Sequence, residues 1–122
     1  MALQFSAAAQ RLRLPDMAGH SGVTRLCLQG WLRHDARTAD ARAFARQHSS
    51  GNQDRVNWRS ADSGYRCEMR TGTAQRVVIV PNADLSLGTW HHVLLRLQSD
   101  EFTVWLDGLK KGTVALAGTT HA

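Results

Sequence analysis

Two adjacent histidines, His91 and His92, are the first residues to test for chemistry, because imidazole is a common ligand of transition metals. They lie in a run of apolar and β-branched residues that predicts a β-strand. Neighbouring side chains of a strand point to opposite faces, so these two imidazoles cannot chelate one ion together. We therefore predict no metal site here, and a structural role for His92 as the cross-strand partner of Asp107.

The carboxylates do not form a hydrolytic pair. Glycoside hydrolysis uses two carboxyl groups roughly 5 to 10 Å apart that flank the sugar. The chain has two glutamates: Glu68 stands between two arginines on a predicted strand, and Glu101 stands at a predicted turn. No Ser–His–Asp arrangement, Cys–His couple or phosphate-binding glycine loop stands out. The sequence thus predicts a protein that is not an enzyme, with no catalytic residues and no cofactor.

The two cysteines, Cys27 and Cys67, are too few for a disulfide framework and lack the spacing of a zinc site. Cys67 alternates with the apolar residues Tyr65 and Met69, which places it on a core-facing side. Cys27 alternates with polar residues such as Gln29 and therefore faces away from the core. We predict that both are free thiols.

The length and composition predict one globular domain, residues 1–122, and the chain carries a net charge of +5. A basic chain suits an acidic partner, but the arginines are scattered, and aromatic residues interleave with them only faintly, so nucleic acid is not an expected partner. No apolar run approaches the roughly 18–20 residues of a membrane span. The N-terminus lacks a basic segment followed by an apolar one, so we expect no secretion signal. We expect the protein to be made and used in a cytoplasm, or to be assembled there into something larger such as a virion.

Residues 89–107 predict a β-hairpin whose register can be derived. Two runs rich in β-branched and aromatic residues are separated by Ser99 and Asp100 alone, and a connection of two residues places Gln98 opposite Glu101. Every later pair then follows from this one. Three apolar pairs share one face, which we expect to cover a core: Leu97 with Phe102, Leu95 with Val104, and Val93 with Leu106.

The opposite face of the hairpin carries the candidate binding residues. Leu94 and Trp105 face each other there, flanked by Arg96 and Thr103. An exposed leucine and tryptophan side by side usually mark a partner surface. The alternative is that residues 35–46 fold over this pair and bury it. Our predicted partner-binding site is Leu94, Arg96, Thr103 and Trp105.

The rest of the chain predicts further short strands separated by turn residues, as in a β-sandwich or jelly roll. Residues 35–46 are ambiguous, because their alanines favour a helix while residues 43–45 also suit a strand. The predicted strands are residues 3–5, 11–14, 23–33, 56–58, 64–70, 75–80, 89–98, 101–107 and 113–117.

Five segments resemble laminin G-like, concanavalin A-like jelly rolls. The most specific are residues 87–93, similar to the family's Leu-x-x-Gly-x-Trp-x-His-Val, and residues 102–108, similar to Leu-x-Leu-Tyr-Val-Asn-Gly; residues 5–15, 26–32 and 65–69 resemble other family strands more loosely. The resemblance implies an all-β, antiparallel, two-sheet jelly-roll sandwich, with a short helix or loop at 35–46.

Two departures from that family bear on function. Its early acidic positions are Ser6 and Ala9 or Gln10 here, which argues against a calcium site nearby. The family also continues with further strands after the hairpin, so we expect a shortened sandwich with an incomplete edge. Either a neighbouring chain completes this edge or the fold is a minimal variant.

Two functions agree with the resemblance: a lectin-like carbohydrate-binding module and a structural interaction protein. The missing acidic positions, the incomplete edge and the apolar outer pair favour the second. Stand-alone domains of this kind also resemble accessory virion proteins of tailed bacteriophages. We therefore expect a head-decoration (cementing) protein of the virion that oligomerises and staples neighbouring capsid subunits, with protein partners, no membrane partner, and carbohydrate as the alternative ligand.

Overall fold

The protein is described by a computed structural model that covers residues 25–38, 42–47, 55–61, 63–71, 74–98 and 100–115. Within these residues the chain forms eight β-strands and one 3-10 turn. In chain order they are β1 Arg25–Arg33, β2 Arg42–Gln47, β3 Arg55–Ala61, β4 Gly64–Thr71, β5 Ala74–Pro81, the turn Asn82–Asp84, β6 Trp90–Gln98, β7 Glu101–Leu106 and β8 Leu109–Ala115. The strands predicted at residues 3–5 and 11–14 lie outside the described residues.

The strands form two antiparallel four-stranded sheets. The first sheet has the order β1-β6-β7-β8, and the second has the order β2-β3-β4-β5. Within each sheet, neighbouring strands are also consecutive in the chain, except that β1 pairs with β6. The all-β, two-sheet sandwich that we predicted is confirmed.

Residues 42–47 form β2, an edge strand of the second sheet among the described residues, so a helix at 35–46 is wrong. Its alanines favour a helix locally, but the backbone of β2 pairs with β3 instead, from Arg42 opposite Arg59 to Gln47 opposite Arg55. Tertiary pairing routinely overrides a weak local propensity of this kind. Because β2 belongs to the second sheet, it does not lie over Leu94 and Trp105 of the first.

The derived register of the β6–β7 hairpin is confirmed from Gln98 opposite Glu101 to Val93 opposite Leu106. The next turn is tighter than we expected. Asp107 and Gly108 both have positive φ, 52° and 79°, as a type I′ hairpin turn requires. β8 therefore begins at Leu109, directly after this turn and four residues before its predicted start.

The apolar faces of the two sheets meet in one core. Trp58 of β3 stacks on Tyr65 of β4 with ring centroids 5.5 Å apart. Burying a large apolar side chain contributes roughly 1.5–3 kcal/mol to folding stability. The alternation of each strand stabilises the sandwich because it directs such side chains into this core. The buried apolar residues are Val56, Trp58, Tyr65, Cys67, Met69, Val78, Val80, Leu85, Val93, Leu95, Leu97, Phe102, Val104 and Leu106.

Both cysteines are free thiols, as predicted, and their environments differ sharply: Cys27 is exposed and Cys67 is buried. Burial also raises the pKa of the Cys67 thiol, which disfavours the reactive thiolate. In the native protein we expect a disulfide reagent such as Ellman's reagent to modify one thiol quickly, and a second thiol to react after denaturation. Cys27→Ser should abolish the fast reaction, whereas two fast thiols in the native protein would contradict the placement of Cys67.

Candidate functional site

The outer face of the first sheet, which points away from the core, carries the candidate site. Strand β1 alternates strictly between exposed and half-buried residues, with Cys27, Gln29 and Trp31 on the exposed side. Its pairing with β6 places Gln29 beside Leu94 and Trp31 beside His92. The outward side chains of β1, β6 and β7 therefore form rows that run across the sheet.

The register brings the four residues of the predicted site onto one face of the sheet, where they are not equally accessible. Leu94 and Trp105 face each other and are both half-buried. The Arg96 guanidinium lies over the Trp105 ring, 4.7 Å from its centroid, in a cation–π contact. Thr103 is 3% exposed, and its hydroxyl is 3.0 Å from the Thr113 hydroxyl. Thr103 thus offers a partner little surface, and Arg96 supplies the polar part of the patch.

Two tryptophans that were not among the predicted binding residues extend this patch along the sheet. Trp31 is 64% exposed and Trp90 is 46% exposed. The Trp31 ring packs against His92, with centroids 5.3 Å apart. Trp31 alternates with polar Gln29 along β1, and this pattern predicts an outward position for Trp31. The same pattern predicted the outward position of Cys27. We call Trp31, Trp90, His92, Leu94, Arg96 and Trp105 the aromatic face.

Positively charged side chains border the aromatic face. Arg25 and Lys110 are exposed, and Arg33 pairs with Asp35 at 2.7 Å. Exposed Glu101 lies at the same end of the sheet as Arg25, because both pair with Gln98, and it faces away from the end that carries Arg33. Together with the overall charge of +5, these groups make the face complementary to an apolar surface with acidic groups around it.

The carboxylates stay apart in the fold. Glu68 is fully buried in the second sheet, with its Oε2 atom 3.2 Å from Arg66 Nε, whereas Glu101 is exposed at the β6–β7 turn of the first sheet. Within the described segments, no three His, Cys, Asp or Glu residues gather in a way that could hold a metal ion. The two glutamates therefore do not lie at one site.

A family model described as the concanavalin A-like lectin/glucanase superfamily, in its laminin G form, matches residues 6–122. The chain belongs to this superfamily. Among solved structures it is similar to the LG4–5 domains of the mouse laminin α1 chain, with a TM-score of 0.66 and 21% identity over 80% of this chain and 26% of that chain. That similarity concerns the fold. No curated protein gives a significant match.

In this laminin G-like domain, the strand that carried the closest resemblance divides its residues between two faces. His91 and Val93 are buried, while Trp90 is exposed and His92 is half-buried. The predicted separation of the two histidines is thus confirmed.

Within the described part of the domain, no helix is long and apolar enough to cross a membrane.

The predicted side-chain partnership of Asp107 is wrong in one respect: the histidine side chain involved is His91. The His91 Nδ1 atom is 2.7 Å from Asp107 Oδ2, and Asp107 Oδ1 accepts a hydrogen bond from the His92 backbone N–H at 2.8 Å. The reason is the turn conformation of Asp107, whose φ of 52° interrupts the alternation of the strand and directs its carboxylate to the core side. Burial alone would raise the pKa of Asp107, but these two hydrogen bonds hold it below its usual value.

Proposed function

We propose that this laminin G-like domain is a non-enzymatic interaction protein that binds its partner through the aromatic face. The observation that carries the proposal is the exposure of Trp31 and Trp90 in continuity with Leu94 and Trp105. Contiguous exposed aromatic surface usually marks an interaction site, and tryptophan and arginine are enriched among the residues that dominate binding energy.

The specific role that we propose is head decoration of a virion, in which the domain oligomerises and staples neighbouring capsid subunits. Two features support it. The aromatic face extends over three neighbouring strands, β1, β6 and β7, and a sheet surface of this kind suits another protein surface. Its border of Arg25, Arg33 and Lys110 suits a partner with acidic groups around an apolar centre.

Carbohydrate binding is the second candidate. The observation that favours it is the presence of two exposed indole rings, Trp31 and Trp90, next to polar groups such as Gln29 and His92. Apolar rings that provide contact area, together with a few polar groups that fix orientation, are the usual composition of a small-ligand site. The two candidates use the same face and differ in what binds to it.

Alanine replacements on the aromatic face test the proposal. We expect Trp31→Ala and Trp105→Ala to remain folded and to weaken binding by roughly 2 kcal/mol or more, which is about thirtyfold in Kd. The matched control is Ile79→Ala, which truncates a 41% exposed residue on the other sheet and should leave binding unchanged. The measurement is co-sedimentation of each variant with capsid shells that lack decoration protein, beside a glycan array.

The outcomes separate the candidates. Binding to shells that Trp31→Ala weakens and Ile79→Ala preserves supports head decoration. Binding to glycans alone, with the same dependence on Trp31, supports the second candidate. If Trp105→Ala unfolds the monomer as severely as a core substitution does, Trp105 belongs to the core and the aromatic face loses its centre.

A further inference from the structure

One end of the sandwich is held together by the residues that follow β1. The His34 carbonyl oxygen accepts a hydrogen bond from the Gly88 backbone N–H at 2.9 Å. Arg37 donates hydrogen bonds to the carbonyl oxygens of Asn82 at 3.0 Å and Leu85 at 2.9 Å. Residues 34–37 thereby tie the end of β1 to the 82–88 loop, which leads directly into Trp90.

The rings of His34 and His91 also pack at this end of the sandwich. The His34 ring lies 4.6 Å from the ring of Tyr65 on β4. His91 of β6 is 8% exposed and directs its Nδ1 atom to the Asp107 carboxylate. The Nε2 atoms of both His34 and His91 are buried and make no hydrogen bond within the described structure. An Nε2–H on His34 would thus have no acceptor.

The charges around His34 also oppose a second proton on its ring. His91 and Arg37 disfavour a positive charge there, and Asp35, which favours it, is paired with Arg33 at 2.7 Å. Asp107 is occupied by His91, and Asp84 of the loop is paired with Lys111 at 3.2 Å. Tyr65 supplies no negative charge, because burial raises the pKa of its phenol. A buried charge without a partner is strongly unfavourable.

We infer that His34 is an acid-sensitive latch: uptake of one proton by its half-buried imidazole, whose Nε2 atom is buried, releases residues 34–37 from the 82–88 loop and from β4, and loosens the end of the first sheet that carries Trp31 and Trp90. The latch does not depend on which partner the aromatic face binds. Through the latch, the structural order of the Trp31 and Trp90 end of the aromatic face depends on pH.

The direction of the effect follows from proton linkage. Burial first, and then His91 and Arg37, lower the pKa of His34 from its ordinary value of 6.5. The opened form, with its imidazole in water, regains the ordinary pKa and binds more protons than the closed form below pH 6.5. The equilibrium constant for opening therefore rises as the pH falls, by up to about tenfold per pH unit, until the lowered pKa of His34 is reached. Asp107, with a pKa held below 3.8, contributes stability that is lost only in a more acidic range.

Hydrogen exchange of the Gly88 amide measures the opening of the latch directly, because that amide donates a hydrogen bond to the His34 carbonyl oxygen. We expect its protection factor to be constant above pH 6.5 and to fall by up to about tenfold per pH unit below pH 6.5, until the lowered pKa of His34 is reached. His34→Phe keeps a ring against Tyr65 without a titrating group, and it should make the protection of Gly88 independent of pH. His92→Phe, which removes a half-exposed imidazole at Trp31, is the control and should retain the wild-type pH dependence.

Two results would overturn the latch: protection of Gly88 that does not change with pH in the wild-type domain, or the same pH dependence in His34→Phe as in the wild type. If His34→Phe does not fold, the NMR titration of the His34 ring protons in the wild type decides instead. A midpoint below pH 6.5 that coincides with the plateau of Gly88 exchange supports the latch, and a midpoint at or above pH 6.5 contradicts it. Neither measurement needs a binding partner, so each can fail or succeed independently of the proposed function.

Discussion

Replacing Leu95 by alanine should lower the free energy of unfolding by about 2–5 kcal/mol. Leu95 lies in the middle of β6, between β1 and β7, and is 2% exposed among the apolar residues of the core. Truncation removes buried methyl groups and leaves a cavity that paired strands on both sides prevent from collapsing. Equilibrium unfolding in urea, followed by tryptophan fluorescence, measures the loss.

The matched control for Leu95 is the same substitution at an exposed position of the same sheet. Leu109, the first residue of β8, is 65% exposed, so Leu109→Ala should change the free energy of unfolding by no more than about 0.5 kcal/mol. Equal losses for the two variants would show that the core and surface sides of the first sheet have been assigned wrongly.

Gly64→Ala should destabilise the domain by at least about 3 kcal/mol, at or above the upper end of ordinary overpacking. Gly64 begins β4 directly after the turn from β3 and pairs with Pro81 of β5. A Cβ atom at Gly64 would collide with the Val80 carbonyl oxygen and lie 3.1 Å from Pro81 Cα. Both obstacles are backbone atoms of a paired strand, so no side-chain rotation relieves the contact.

Gly30→Ala is the control for this substitution. Gly30 lies in the middle of β1, and a Cβ atom there would meet no other atom within 4 Å. We expect a change of less than about 1 kcal/mol, on the stabilising side, because alanine loses less backbone entropy than glycine on folding. Thermal melts of the two variants give the comparison. A Gly64→Ala variant as stable as Gly30→Ala would contradict the close approach of β4 to the end of β5.

The β6–β7 hairpin contributes one face to the core and its other face to the proposed binding surface. Its core face contributes residues such as Leu95 and Val104, while its other face presents Leu94 and Trp105 with Arg96 over the indole. Substitutions on the two faces therefore have separable effects, one on stability and the other on binding. This separation is what makes the alanine variants of the aromatic face interpretable.

The sequence by itself determined the features that depend on local geometry. A two-residue connection and strict alternation established the register from Gln98 to Val93, the opposed faces of His91 and His92, and the outward position of Cys27. These features follow from the two-residue period of a strand and from the length of a turn, and both can be read within a few residues. The resemblance of residues 87–93 and 102–108 to laminin G-like strands indicated the two-sheet sandwich.

Only the tertiary structure decided the features that depend on contacts between distant residues. Pairing with β3 made a strand of the alanine-rich residues 42–47. The left-handed turn at Asp107 paired its carboxylate with the ring of His91 and with the backbone N–H of His92 instead of with the His92 ring. The alternation of a strand states which face a side chain occupies, but how much of it stays accessible depends on its neighbours across the sheet. That is why Thr103 is buried against Thr113 while Trp31 and Trp90 remain open to a partner.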